Sequence, residues 1–193
     1  MKKIAVTGRI ATGKTSVLNQ FKYFGCRVFN SDEMVKNIYK KDIDIISKIK
    51  CLTPSVIEKE NINMKLLSDL AFKSNVVLFE LEKIIHPKLK ILRNRLTKKS
   101  FFCNIKTIVF EVPLLFEKKI EKEFDIIVST TCNSSLQKRR YLWRKNSSTE
   151  KFININKKFL NDNERFKRSH FTINTGLGKT HSLKLVNKIL KNT

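Results

Sequence analysis

The sequence contains little glycine, little acid and no apolar stretch long enough to cross a membrane. Glycine occurs only 5 times in 193 residues, and 17 acidic residues stand against 40 lysines and arginines. Apolar runs such as Ile126-Ile127-Val128 fall far short of the roughly 20 residues that a membrane-spanning helix needs. Met1-Lys2-Lys3 is not followed by the apolar stretch and cleavage site of a secretory signal. We therefore expect a soluble, cytoplasmic protein with no membrane partner.

The cysteines and histidines show no spacing typical of a metal site. The 4 cysteines form no C-x-x-C pair, and the 3 histidines follow no metal-ligand pattern. The cysteines stand far apart, at Cys26, Cys51, Cys103 and Cys132. We expect ordinary reduced thiols, some of them buried.

The formal net charge of +23 admits three interpretations. Lysine and arginine neutralise nucleic-acid phosphates, so nucleic-acid binding is one. Biased composition is another, because lysine, asparagine and isoleucine are abundant throughout and the basic residues form no single arm or stripe. A positive cleft for substrates with several phosphates is a third, compatible with the second. We favour biased composition and expect no specific nucleic-acid partner.

The hydrophobic pattern alternates between strands and helices. Strands are predicted at residues 3–7, 27–29, 106–111, 126–128 and 171–173, and helices at 14–23, 134–144 and 183–189. Residues 31–99 are predicted to be mostly helical, with a break at His86-Pro87 and a new helix starting at Pro87. This order predicts an α/β fold, in which helices flank a parallel five-stranded sheet.

The first predicted strand leads into a loop that fits the phosphate-binding pattern G-x-x-x-x-G-K-[ST]. The loop runs from Gly8 to Thr15 and matches at every fixed position. Glycine at 8 and 13 allows the backbone to turn its N–H groups inward, and the following helix presents its positive end to an anion. Lys14 can reach the β- and γ-phosphates of a nucleotide, and the Thr15 hydroxyl can ligate Mg²⁺.

Two carboxylates follow predicted strands. Glu111 ends the strand at 106–111, as expected of a Walker B residue that holds Mg²⁺ directly or through water. Asp32 follows the strand at 27–29, and ligands of such sheets bind beyond the carboxyl ends of the strands. Asp32 can orient or deprotonate an attacking hydroxyl. The alternative is a helix N-cap, because Asn30, Ser31 and Asp32 are all good cap residues.

Three arginines lie on the basic segment after the fourth predicted strand. Arg139, Arg140 and Arg144 can bind phosphate oxygens through two N–H groups at once, or they can form a solvated basic face. Arg140 and Arg144 are predicted to share one face of a helix, which favours the phosphate interpretation.

These motifs, taken in order, resemble those of the dephospho-coenzyme A kinase family. The most specific is a strand followed by Pro-Leu-Leu-Phe-Glu, present here as Pro113-Leu114-Leu115-Phe116-Glu117. The others occur in the family's order along nearly the whole chain: Thr7 to Thr15, Asn30-Ser31-Asp32, His86-Pro87, Gln137, Arg140, Arg144 and Asn174-Thr175-Gly176.

The resemblance implies a P-loop kinase core, a helical coenzyme A-binding insert and a lid. The core would comprise residues 1–29, 100–135 and 169–193, the insert residues 30–99 and the lid residues 136–168. The family uses ATP and Mg²⁺ to phosphorylate the ribose 3′-hydroxyl of dephospho-coenzyme A, the last step of coenzyme A synthesis. A small-molecule substrate and a monomeric enzyme are therefore expected.

The resemblance also implies roles for single residues. Asp32 would lie nearest the accepting hydroxyl and would form the catalytic set with Lys14 and Arg140. Thr15 and Glu111 would hold the metal ion. ATP would be bound by loop and lid residues, namely Gly8, Ala11, Thr12, Gly13, Lys14, Thr15, Ser16, Arg140 and Arg144.

Four positions depart from the family's pattern, which puts efficiency in question more than reaction type. They are Asn30 and Glu111, each where aspartate is usual, Lys36 where arginine is usual, and Phe159 in place of a lid glutamine. Asn30 removes one possible metal or water contact.

Two other functions stay open at this point. One is a kinase for another small acceptor, such as a nucleoside monophosphate or shikimate, against which the 113–117 motif argues only through the resemblance. The other is a basic nucleic-acid-binding protein that keeps a relic nucleotide site, against which the intact Lys14-Thr15 pair argues.

Overall fold

The fold is taken from a computed structural model, which describes residues 1–58, 60–145 and 147–192 apart from the side chain of Phe72. The chain divides into two compact units, one formed by Met1–Ser31 with Ser100–Thr193 and the other by Asp32–Lys99. Within the described ranges, no helix is both long and apolar enough to span a membrane.

The described residues of the two units form the following strands and α-helices, in which three helices stand in a row between the last two strands. The strands are β1 (Lys2–Gly8), β2 (Arg27–Asn30), β3 (Ile57–Glu58), β4 (Asn61–Ile62), β5 (Thr107–Glu111), β6 (Ile126–Thr131) and β7 (Phe171–Asn174). The helices are α1 (Lys14–Tyr23), α2 (Ser31–Lys41), α3 (Ile43–Leu52), α4 (Met64–Lys73), α5 (Asn75–Phe102), α6 (Ser134–Leu142), α7 (Thr149–Asn156), α8 (Asp162–Lys167) and α9 (Lys179–Lys191).

A five-stranded parallel sheet in the order β2-β5-β1-β6-β7 forms the centre of the first unit. Ile4, Ala5 and Val6 of β1 are all fully buried, because successive side chains point to opposite faces and both faces are covered. On one face, Ile4 and Val6 pack in a cluster with Phe21 of α1 and Ile189 of α9. The predicted α/β fold is confirmed.

The strand register places polar residues together at the carboxyl edge of the sheet. Glu111 of β5 is paired with Val6 of β1 on one side and with Asn30 of β2 on the other. Gly8, where the phosphate-binding loop begins, is paired with Thr130 of β6. The loop and Glu111 therefore lie at the same edge, where ligands of such sheets bind.

The second unit is helical except for the short antiparallel hairpin of β3 and β4. The prediction that a helix breaks at His86 and restarts at Pro87 is wrong, because α5 runs without interruption from Asn75 to Phe102. A proline inside a helix costs about 3 kcal/mol, since it removes one hydrogen bond and crowds the preceding turn. Leu81, Ile85 and Leu89 are buried at four-residue spacing across Pro87, and their packing outweighs this cost.

Candidate active site

Two glycines shape the phosphate-binding loop between β1 and α1. Gly8 has a φ of 149° and Gly13 a φ of 89°, backbone conformations that residues with a Cβ resist. A Cβ at Gly8 would lie 2.8 Å from the Thr12 hydroxyl, and one at Gly13 would lie 2.8 Å from the hydroxyl of Thr175. No other residue fits at either position without displacing its neighbours.

Side chains of the loop bind its own backbone. The Lys14 ammonium donates to the carbonyls of Gly8 and Arg9, at 3.0 and 2.9 Å. The Thr12 hydroxyl donates to the Arg9 carbonyl at 2.9 Å and lies 2.8 Å from the hydroxyl of Thr130. Ala11 has a φ of 59°, which is uncommon for a residue other than glycine and fits a loop whose conformation is held from several sides.

The N-terminus of α1 fits an anion. Gly13 precedes the helix and makes no side-chain cap, and the first turn carries no acidic residue. The first backbone N–H groups of a helix have no partner within the helix, and the helix dipole places partial positive charge there. A phosphate group satisfies both requirements.

Thr175 links the loop to Arg140, a connection that sequence analysis did not predict. Its buried hydroxyl donates to the Thr12 carbonyl at 2.8 Å. The Arg140 guanidinium donates to the same hydroxyl at 2.8 Å and to the Thr175 carbonyl at 3.2 Å. Arg140 is thus brought to the phosphate loop. Only the Asn174-Thr175-Gly176 motif marked this position in the sequence, and it suggested no role.

Gln137 makes a second connection to the loop. Its amide donates to the Ile10 carbonyl at 2.8 Å and to the side chain of Asn156 at 3.2 Å. Gln137 lies on α6 and is buried. Two helices of the predicted lid are therefore joined to the loop by one side chain, for which the motif match again indicated no role.

Glu111 lies at the end of β5 and is 5% exposed. The Asn30 amide donates to its carboxylate, and the Ser31 hydroxyl donates to its backbone carbonyl. The end of β2 is thereby fastened to the end of β5. A neutral amide beside Glu111 stabilises the carboxylate, whereas a second carboxylate would repel it.

The donor set fits a magnesium ion bound together with a nucleotide. Thr15, in the first turn of α1, is exposed, and Glu111 supplies a carboxylate at the same edge of the sheet. Mg²⁺ at such sites is held by one or two protein oxygens, phosphate oxygens and water. In the described part of the chain, no cluster of 3 or more His, Cys, Asp or Glu residues is suited to a metal ion.

Asp32 lies in the first turn of α2 and is exposed. The helix begins at Ser31, so Asp32 follows the first helical residue instead of capping it from outside. The positive end of α2 stabilises a carboxylate at this position.

The prediction that Arg144 shares a helix face with Arg140 is wrong. α6 ends at Leu142, and Arg144 lies beyond it in an exposed turn. The Arg144 N–H bonds the carbonyl of Tyr141 at 3.0 Å, and the Ser147 hydroxyl donates to the carbonyls of Leu142 and Arg144. The Arg144 bond spans three residues instead of four, which is the type of bond found where an α-helix ends.

The cysteines are free thiols, as predicted. Burial raises the pKa of Cys26 to about 11. Burial also raises the pKa of Cys132, and the neighbouring Arg140 guanidinium partly opposes this effect. Cys132 is therefore a neutral thiol beside the site at neutral pH.

The fold and the site together define a P-loop kinase. A glycine-bounded phosphate loop follows the central strand, a buried carboxylate ends the neighbouring strand, and an arginine from a later helix is linked to the loop through Thr175. These are the parts that phosphoryl transfer requires, since positioning and charge stabilisation account for most of its catalysis.

Comparison with known proteins specifies the family. The family model for dephospho-CoA kinase matches residues 2–179. A dephospho-CoA kinase from Bartonella quintana (strain Toulouse) is 36% identical over 196 residues, an alignment covering 100% of each chain. The chain therefore belongs to the dephospho-CoA kinase family. Kinases of this family phosphorylate dephospho-coenzyme A in the last step of coenzyme A biosynthesis, so the predicted reaction is confirmed.

Solved structures agree on the fold. The crystal structure of TT1252 from Thermus thermophilus aligns with a TM-score of 0.84 at 22% identity, covering 99% of this chain and 97% of that one. Dephospho-CoA kinase from Campylobacter jejuni aligns with a TM-score of 0.65 at 17% identity, covering 99% and 96%.

Proposed function

We propose that Lys14, Arg140 and Asp32 are the catalytic residues with which this chain transfers the γ-phosphoryl group of ATP to the ribose 3′-hydroxyl of dephospho-coenzyme A. The observation that carries the proposal is the convergence of Lys14 and, through Thr175, of Arg140 on one phosphate-binding loop. The cytoplasmic location and the monomeric state stay predictions.

On the donor side, Lys14 and the N-terminus of α1 would hold the phosphates. The Lys14 ammonium lies against two backbone carbonyls of the loop, at 3.0 and 2.9 Å. Phosphate oxygens carry charge and so accept stronger hydrogen bonds than carbonyls do. We therefore expect the Lys14 ammonium to leave the carbonyls and bind the β- and γ-phosphates when ATP is present. There it would stabilise the negative charge that develops during phosphoryl transfer.

Thr15 and Glu111 would hold Mg²⁺, Glu111 directly or through water. The bound ion supplies charge neutralisation at the β- and γ-oxygens. Asn30 donates to one oxygen of Glu111, and a carboxylate has about four lone-pair sites, two on each oxygen. Burial of Glu111 restricts its side chain and so favours a single ion position.

On the acceptor side, Asp32 would orient the ribose hydroxyl and accept its proton. A carboxylate is the general base of kinases that phosphorylate hydroxyl groups. Its exposure in the first turn of α2 leaves it accessible to a substrate. The insert at residues 30–99 would bind the remainder of dephospho-coenzyme A.

Arg140 would stabilise the transferring phosphoryl group, and the lid at residues 136–168 would exclude water. The bonds from Arg140 to Thr175 support this role, because an arginine with a restricted guanidinium loses less entropy when it binds phosphate. Arg144, exposed beyond the end of α6, would contact the nucleotide from the lid.

The experiment is an acceptor comparison with product analysis. Purified protein with ATP and Mg²⁺ is given dephospho-coenzyme A, shikimate or a nucleoside monophosphate, and the product is identified by mass and by nuclear magnetic resonance. We expect 3′-phosphorylated product from dephospho-coenzyme A alone. The matched control is a 3′-deoxy analogue of dephospho-coenzyme A, which should bind without being phosphorylated. Phosphorylation of the analogue, or turnover of another acceptor at a comparable rate, would contradict the proposal.

A further inference from the structure

An ion pair joins the phosphate loop to the end of the predicted lid. The Arg9 side chain, at a position that the loop motif leaves open, has its Nε atom 3.4 Å from Oδ1 of Asp162. Asp162 is the first residue of α8. The Arg9 side chain is 27% exposed and that of Asp162 is 39% exposed, so water screens the pair only partly.

A buried arginine fixes the position of Asp162. Arg165 is 1% exposed, and its Nη1 atom lies 3.7 Å from the same Oδ1 of Asp162. Burial lowers the pKa of Arg165, while the charges of Asp162 and Glu117 oppose the change. A buried cation is costly unless anions and hydrogen-bond acceptors surround it, so this part of the chain has little freedom to rearrange.

The backbone of Leu160 is hydrogen-bonded by two side chains, those of Glu117 and Arg165. The Leu160 N–H donates to the Glu117 carboxylate at 2.6 Å, and the Leu160 carbonyl accepts from Arg165 Nη2 at 3.0 Å. The Arg165 guanidinium also lies 5.6 Å from the ring centre of Phe159, a cation–π contact. Glu117 belongs to the loop after β5, so Asp162 is presented to Arg9 from a segment fastened to the core.

Two buried donors converge on Asp162 without forming a hydrogen bond. Neither Nε of Arg9 nor Nη1 of Arg165 has a hydrogen-bond partner among the described residues. Their distances from Oδ1, 3.4 and 3.7 Å, exceed the usual N–H···O range of about 2.7–3.2 Å. A small shift of the Arg9 guanidinium toward Oδ1 would convert the Arg9 contact into a charge-assisted hydrogen bond.

Arg9 connects this contact to the nucleotide site through its backbone. Its carbonyl accepts hydrogen bonds from Lys14 at 2.9 Å and from Thr12 at 2.9 Å. If Lys14 leaves the Arg9 carbonyl to bind a nucleotide, Arg9 loses a hydrogen bond and its position changes. A shift of Arg9 in turn alters its distance from Asp162.

We propose that Arg9 and Asp162 form a latch between the phosphate loop and the lid, in which the ion pair and bound ATP strengthen each other. The proposal rests on ATP binding at the phosphate loop, as set out above. Coupling between two contacts is reciprocal, so a latch that closes on ATP binding also raises the affinity for ATP. Arg9 and Asp162 are positioning residues, and they would limit hydrolysis of ATP by water through lid closure.

A double-mutant cycle tests the latch. Arg9→Gln, Asp162→Asn and the double variant are compared with the unchanged protein for ATP affinity, for ATP hydrolysis without acceptor, and for stability to urea without ATP. We expect each single variant to bind ATP about fivefold more weakly, at the low end of usual coupling. The double variant should be no weaker than either single variant, and all three should hydrolyse more ATP without acceptor. Arg9→Lys should retain most of the affinity because the charge remains.

The control is Glu164→Gln on the same helix. Glu164 pairs with Lys167 at 3.7 Å on an exposed surface, and its removal should leave ATP affinity unchanged. If the losses of ATP affinity in the two single variants add in the double variant, the latch is wrong and the proposed function is unaffected. Tighter ATP binding by Asp162→Asn would also overturn it, since Asp162 would then merely repel phosphate. If the wild-type protein binds no ATP, the proposed function itself is wrong, and so is the latch.

Discussion

The hydroxyl of Thr175 donates a 2.8 Å hydrogen bond to the carbonyl of Thr12, a residue 163 positions earlier in the chain. The same hydroxyl accepts a hydrogen bond from Arg140, also at 2.8 Å. One small side chain therefore joins the phosphate loop, the end of the last strand and helix α6. The same hydroxyl lies so near residue 13 that a Cβ there would be only 2.8 Å away. Threonine at position 175 therefore requires glycine at position 13.

Removal of this hydroxyl should loosen the nucleotide site. Thr175→Val keeps the shape of the side chain but leaves the Thr12 carbonyl and the Arg140 guanidinium without their shared partner. We expect ATP to bind about tenfold more weakly, since a lost buried hydrogen bond costs about 1–3 kcal/mol. The KM for ATP measures the effect. Thr172→Val, an exposed change on β7, is the control and should leave the KM unchanged. An unaltered KM in both variants would show that Thr175 does not hold the loop.

The role proposed for Asp32 predicts a separation of kinetic constants. Asp32→Asn should slow phosphoryl transfer about a hundredfold, because a general base contributes about 10²–10⁴ in rate. Binding of ATP should stay within about threefold, because the carboxylate acts on the acceptor. Single-turnover kinetics and ATP titration measure the two quantities. Asp44→Asn, in the exposed first turn of α3, is the control. Equal losses of rate and ATP affinity would point to a structural role for Asp32.

The neutral amide beside Glu111 predicts a pH-dependent defect. Asn30→Asp places a second carboxylate where an amide donates to the buried carboxylate of Glu111. Two adjacent carboxylates raise the pKa of the pair above the unfolded values. The folded state then binds more protons than the unfolded state, so stability falls as pH rises. Without metal ions, we expect a loss of about 1–3 kcal/mol at pH 7 that shrinks toward pH 4.

Urea unfolding at several pH values tests this expectation. The control is Asn63→Asp, because Asn63 donates to Glu58 at 2.8 Å on an exposed surface. Solvent screens the charges there, so the control should lose little stability at any pH. A defect in Asn30→Asp that does not vary with pH would contradict the repulsion between carboxylates.

The helical unit should weaken in acid through Asp42. This residue caps α3, accepts a hydrogen bond from the Ile45 N–H at 3.3 Å and lies 2.5 Å from the ammonium of Lys88. The hydrogen bond from Lys88 is the main cause that lowers the pKa of Asp42 below its usual value. Because the pKa of Asp42 is lower in the folded state than in the unfolded state, its ionised carboxylate stabilises the folded protein. This stabilisation is fully present above the unfolded pKa of about 3.9 and is lost as the pH falls through the folded pKa.

Comparison with Asp42→Asn isolates this contribution, because asparagine keeps the cap and removes the charge. The difference in unfolding free energy between the two proteins should be constant from pH 7 to about pH 5 and should narrow below about pH 4. Asp44→Asn, whose exposed pair with Lys48 is screened, should show no such narrowing. A difference that widens in acid would show that the pair does not stabilise the ionised carboxylate.

Local signals allowed the sequence to predict the loop and the sheet. The helix at residues 14–23 has its observed bounds because Gly13 and Gly25 punctuate it on either side and its apolar residues recur at helical spacing. The order of strands and helices then restricts the topology, because parallel strands need crossover connections. The Gly8 to Thr15 motif marked the residues that the fold brings to the sheet edge.

The features that the sequence did not predict depend on contacts between residues that are far apart in the chain or on packing around a helix. Pro87 continues α5 because buried residues on both sides of it pack together, which local propensity does not reveal. Thr175 and Gln137 act through backbone carbonyls of the loop, and an acceptor carbonyl has no signature in the sequence. Arg9 and Asp162 are likewise 153 positions apart and meet only in the folded chain.

The most direct measurement is ATP consumption by the purified protein with Mg²⁺, with and without dephospho-coenzyme A, alongside Lys14→Ala and Lys22→Ala. Lys14 lies in the phosphate loop, whereas Lys22 is exposed in the last turn of the same helix. We predict ADP and coenzyme A only with the acceptor, a loss of at least about a hundredfold in Lys14→Ala, and unchanged turnover in Lys22→Ala. Acceptor-independent consumption, or full turnover in a folded Lys14→Ala variant, would contradict the account.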